Sequence, residues 1–125
     1  MEILKIESTE DSPQIVLDRE SNILEISGRS LPEDVNTFYE PTMSWIEEYA
    51  KDPLDVTVFS FKFTYFNTAS SKIILDILTR FEEMIEEGHE VMVRWHYPEE
   101  DEDMMEAGEE YSEMVDVPFE MVSYS

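Results

Sequence analysis

The 125-residue chain contains no cysteine, only three glycines and only eight basic residues. The missing cysteine removes disulfides, thiolate nucleophiles and sulfur-ligated metal centres. Gly28, Gly88 and Gly108 are too few and too scattered for a phosphate-cradling loop, and neither G-x-G-x-x-G nor a P-loop pattern occurs. G-x-S-x-G and H-E-x-x-H are absent too. No apolar run reaches the roughly 18 residues of a membrane span, and no basic-then-apolar leader opens the chain, so a cytoplasmic protein is expected. Eight bases against 31 acids give a net charge of −23, which speaks against non-specific binding to nucleic acid or anionic membrane.

With 42% hydrophobic and 12% aromatic residues, the chain has the material for one core, and residues 1–125 read as one domain. Ile3–Ile6, Gln14–Asp18 and Asn22–Gly28 have strand length, and Arg19-Glu20-Ser21-Asn22 suits a hairpin connection. Val35, Phe38, Tyr39, Met43 and Ile46 recur at helical spacing. Pro41 interrupts them, which predicts a short turn near 35–39 and a main helix from Pro41 to Lys51. Val56–Phe63 is the densest β-branched and aromatic run, and is expected to be a central strand covered on both faces. An amphipathic helix follows over 69–87 with Gly88 as its C-cap, then a strand over 90–97 stopped by Pro98. A weaker helix over 100–114 and a strand over 117–122 complete the order β-β-β-α-β-α-β-α-β. That alternation predicts an α/β domain with a mixed sheet of five to six strands and three helices.

Chemistry-bearing residues are sparse. His89 and His96 straddle one strand at an odd spacing and face opposite sides, so they do not share a metal. Residues 99–113 hold nine acids and no base. Their spacing lacks the alternating ligands and turn glycine of a calcium loop, and fits a solvated helix N-terminus. No cofactor is expected. The segment Tyr65-Phe66-Asn67-Thr68-Ala69-Ser70-Ser71-Lys72 joins the strongest strand to the strongest helix and is crowded with hydroxyls. One reading makes Asn67 or Thr68 a helix cap. The other makes the turn a modification or binding site, since a phosphate at a helix N-terminus meets unpaired N–H groups. The two are compatible.

The progression Ile23-Leu24-Glu25-Ile26-Ser27-Gly28-Arg29-Ser30-Leu31-Pro32, helix, hydrophobic strand and hydroxyl-rich turn resembles the STAS domains of anti-sigma-factor antagonists. Three further patterns resemble, more specifically, the SiaC family of bacterial regulatory phosphoproteins. These are Tyr39-x-Pro41-x-x-x-Trp45-x-Glu47-Glu48-Tyr49, Tyr65-Phe66-Asn67-Thr68-x-Ser70 and Gly88-x-x-Val91-x-Val93-x-Trp95-x-Tyr97. Asn67, where an aspartate often stands, and the lack of a glycine soon after Thr68 set the chain apart from ordinary STAS domains. The resemblance implies a STAS-like, non-enzymatic switch protein. A cognate Ser/Thr kinase would phosphorylate Thr68, a PP2C-type phosphatase would reverse it, and the unphosphorylated form would activate a diguanylate cyclase in cyclic-di-GMP control. Partner contacts are then expected at Tyr65, Phe66, Asn67, Ser70, Ser71 and Lys72, with Lys72 one turn from the phosphate, on a monomer. An anti-sigma-factor-antagonist module with another partner, and an acidic decoy of a basic protein, are the competing readings.

Overall fold

The computed structural model describes residues 1–125. Its elements are β1 (Leu4–Ile6), β2 (Gln14–Asp18), β3 (Ile23–Ser30), α1 (Val35–Ala50), β4 (Val56–Phe66), α2 (Thr68–Glu86), β5 (Glu90–Pro98), α3 (Glu102–Met114) and β6 (Phe119–Tyr124). The six strands form one mixed sheet in sequence order. β1–β2 and β2–β3 pair antiparallel, and β3 through β6 run parallel. The β2–β3 turn closes on Asn22, whose φ of 56° lies in the left-handed region that asparagine tolerates.

Each parallel crossover moves one strand further in the same direction. Right-handed crossovers of that kind place all three helices on one face of the sheet. Burial alternates accordingly: Phe59, Phe61 and Phe63 of β4 and Val91, Val93 and Trp95 of β5 are buried, while Val58, Ser60, Lys62, Met92 and Arg94 between them are not. β4 is therefore covered on one face only, contrary to the expectation of two. Its alternating Val58, Ser60 and Lys62 are the sequence signature of that half-covered state.

The core is a single cluster of 25 buried hydrophobic residues between the sheet and the helix layer. α1 runs unbroken through Pro41. Tyr39 and Thr42, then Trp45, Ile46 and Tyr49, continue one buried face across the proline, and that packing outweighs the lost backbone bond. Trp45 stacks on Tyr49 at 5.2 Å and donates from Nε1 to the carbonyl of Glu2. Arg80 of α2 clamps α1 through Glu47 at 2.7 Å, a contact that holds its guanidinium above its ordinary pKa. β6 starts at Phe119 rather than 117, because Val115 and Val117 fill the core from the connection and Pro118 has no N–H to give the ladder.

α3 packs on β5 by close approach. Gly108 lies against the ring of the fully buried Trp95, whose Nε1 donates to the Met104 carbonyl at 2.9 Å. A Cβ at position 108 would come within 2.4–2.7 Å of three atoms of that ring. Gly108→Ala must push α3 off the sheet. It is expected to lower the unfolding free energy by about 1–3 kcal/mol, read as a reduced urea midpoint at unchanged slope.

Candidate functional site

β4 delivers the hydroxyl-rich turn through a change of register. Gly28 pairs with Phe63 but Arg29 pairs with Tyr65, so Thr64 is an extra residue on β4. Gly28 carries a φ of 108°, a conformation that a side chain would oppose. The extra residue inverts the facing pattern. Phe66 turns inward onto Phe63, Trp95 and Tyr111 at 5.5–6.3 Å between ring centres. Tyr65 turns outward, 50% exposed, with the Arg29 guanidinium 5.7 Å from its ring centre.

α2 then begins at Thr68, with Asn67 as its N-cap: Asn67 Oδ1 accepts from the Ser70 N–H at 2.8 Å. A buried hydroxyl relay anchors this turn to β3 and α1. The Tyr39 hydroxyl donates to Ser30 Oγ (2.6 Å), Ser30 Oγ donates to Ser70 Oγ (2.8 Å), and Ser70 Oγ donates to the Ser30 carbonyl (3.0 Å). The Asn67 N–H donates to the same carbonyl at 3.1 Å. From the other side, the Tyr111 hydroxyl of α3 donates to the Ser71 carbonyl at 3.0 Å. Burial pushes the Tyr39 and Tyr111 phenols up to about 12.

This frame leaves Thr68 on the surface. The backbone N–H groups of Thr68 and Ala69 have no acceptor, and the first turn of α2 contains no acid. Both facts favour an anion at that end of the helix dipole. Lys72, one turn on, is exposed and forms no ion pair. Among the expected contact residues, Tyr65 and Lys72 are exposed like Thr68, while Asn67 and Ser71 are half-buried, the first engaged as the cap and the second with its hydroxyl bonded to the Thr68 carbonyl. Ser70 is fully buried and holds the turn rather than presenting it, whereas Phe66 packs inward but is only half-buried and lines a surface groove between α2 and α3. Ser30 and Tyr39, which entered the sequence analysis only as parts of the family-like patterns, and Tyr111 belong to the same frame. His89 and His96 stand apart from it, and no group of three His, Cys, Asp or Glu side chains is placed to hold a metal ion.

The family model described as "SiaC family regulatory phosphoprotein" matches residues 6–124. The chain belongs to the SiaC family. An uncharacterised protein of Pseudomonas aeruginosa (strain UCBPP-PA14) is 32% identical over 119 residues, covering 95% of this chain and 94% of that protein. The crystal structure of the diguanylate cyclase SiaD in complex with its activator SiaC, from Pseudomonas aeruginosa, contains a chain that matches with a TM-score of 0.91 at 30% identity, over 97% of this chain and 99% of the other. Apo-SiaC of the same organism matches with a TM-score of 0.88 at 31% identity, over 98% and 99% of the two chains. The chain is thus a regulatory protein rather than an enzyme. Two of the family-like aromatics, Tyr39 and Trp45, are internal struts of this fold, not surface contacts.

The buried phenols predict a measurable titration. The folded values near 12 lie above the ordinary 10.0, so the fold favours the neutral phenol. The stability this confers is fully present below pH 10 and is lost as pH climbs through 12. Absorbance at 295 nm should show the Tyr39 and Tyr111 phenols ionising only as pH approaches about 12. Tyr39→Phe and Tyr111→Phe should each delete one group titrating near 12, and ionisation of both phenols near the ordinary 10.0 would contradict the burial argument.

Proposed function

We propose that this chain is a phosphorylation-controlled activator of a diguanylate cyclase, with Thr68 as the phosphoacceptor and the unphosphorylated form as the binding form. The observation that carries the reading is Thr68 itself: an exposed hydroxyl at the first position of α2, held by a rigid buried frame, in a chain of a regulatory phosphoprotein family. The acid-free first turn, the free N–H groups of Thr68 and Ala69, and Lys72 support it, because each stabilises a phosphate there. A Ser/Thr kinase would add that phosphate and a PP2C-type phosphatase remove it. The likeness to the SiaC chain of the SiaD complex supports a cyclase as the partner.

The physical effect of phosphorylation is local. A phosphate adds about −1.5 to −2 charges at neutral pH, little beside −23 in the long-range field. At a contact built on Tyr65, Asn67, Thr68 and Lys72, however, it places a charge whose hydration must be stripped for the partner to dock. Ser70, Ser71 and Phe66 act in this reading by fixing the turn's geometry. The net charge also favours one rival, an acidic decoy that binds basic proteins through its overall field.

Titration of the protein against the diguanylate cyclase of its own host, followed by cyclic-di-GMP production, tests the proposal. Thr68→Ala should activate like the unmodified protein. Thr68→Asp should weaken binding about tenfold or more, which corresponds to about 1.4 kcal/mol of uncompensated charge at a docked surface. Equal binding by both variants would reduce Thr68 to a helix residue. Loss of all binding at modest salt, regardless of residue 68, would favour the decoy.

A further inference from the structure

Beside the Thr68 turn, α2 and α3 diverge to leave a groove of about 330 Å³. Its walls are Phe66, Leu75, Ala107 and Met114, with Lys72 on the α2 lip and Glu110 on the α3 lip. Met114 is 64% exposed, an unbranched apolar side chain left in water. Methionine in that situation adapts to the shape of whatever packs against it. The volume lies at the low end for ligand pockets (~300–1,000 Å³), and no buried charged group converges on it as a small-molecule site requires. A short row of apolar side chains fits it better.

The helix beside the groove is charged in a way that works against its own stability. α3 exposes Glu102, Asp103, Glu106, Glu109, Glu110 and Glu113 and contains no base. Glu102–Glu106, Glu106–Glu110 and Glu109–Glu113 are like charges four residues apart, each mildly destabilising. Glu110 and Glu113 also lie towards the C-terminal, negative end of the helix dipole, where cations are favoured. None of the six acids has an ion-pair partner within the chain. α2 differs: there Arg80 gathers Glu83 and Glu87. An apolar floor under a lip of unpaired acid is complementary to one kind of surface.

We propose that the α2–α3 groove receives the apolar face of a cationic amphipathic segment of the partner, whose basic side chains pair with the acids of α3. This rests on the reading of the Thr68 region as a partner surface and supplies the chemistry of what docks there. It also links the two features. Lys72 stands four residues from Thr68 and on the groove's lip, so an anion at position 68 draws its side chain away from the groove and towards the helix end.

The test measures affinity for the host diguanylate cyclase with Met114→Glu, Leu75→Glu and Glu110→Lys. Glu20→Lys, in the exposed β2–β3 turn, is the charge control. The three groove variants should each weaken binding about tenfold or more without a fall in melting temperature, and the control should bind as before. Should Leu75→Glu disturb folding, the exposed Met114→Glu and Glu110→Lys still decide the matter. Undiminished cyclase binding by the groove variants overturns the groove while leaving the proposed function standing. If the cyclase fails to bind even the unaltered protein, that function falls, and a synthetic helical Leu/Lys peptide of about 18 residues, five turns, settles the groove by amide chemical-shift mapping. Shifts confined to residues around 66, 72–75 and 107–114 support it, and shifts spread over the acidic surface overturn it.

Discussion

The carbonyl oxygen of Ser30 accepts two hydrogen bonds, from the Asn67 amide and from the Ser70 hydroxyl, and the upper end of the molecule is organised around it. β3 ends at that oxygen, β4 and α2 meet across it, and α1 reaches it through Tyr39 and the Ser30 hydroxyl. Each donor in the relay has one acceptor, so no buried hydroxyl of the three is left unpaired. A partly satisfied polar network would cost more than an apolar junction, whereas a complete one fixes a single geometry. The consequence is that the first turn of α2 is positioned by three elements at once, with α3 adding a fourth restraint through Tyr111.

Much of the architecture could be read directly from residue patterns, and the departures have definite causes. The mixed α/β sheet and its three helices followed from alternation and helical periodicity. Pro41 misled because a local rule about backbone donors was applied without the buried face formed by Tyr39, Thr42 and Trp45 around it. The dense run of β4 suggested two covers, while its polar alternation, Ser60 and Lys62 between phenylalanines, pointed to one. Thr68 stood out because hydroxyls crowded a strand-to-helix junction. The pairing of its supports did not. Ser30 and Ser70, or Tyr111 and Ser71, are 40 residues apart in the chain and become partners only through the fold. Local pattern carries no trace of such pairs.

Charge is distributed with as much structure as the core. The open sheet face carries bases beside acids, as in the Arg94–Glu120 pair at 3.1 Å. α2 has an acid-free first turn and a guanidinium that gathers its later glutamates. α3 has acids alone. A net charge of −23 therefore reads less as a uniform solubilising coat than as a gradient rising from the sheet towards the last helix.

Every bond in the frame beneath Thr68 joins neutral groups: phenols, serine hydroxyls, an asparagine amide and backbone. Such contacts are indifferent to ionic strength, in contrast to the ion pairs at the surface. The platform thus behaves as a mount that salt does not loosen. Salt alters what surrounds the head of α2, but not where that head is held.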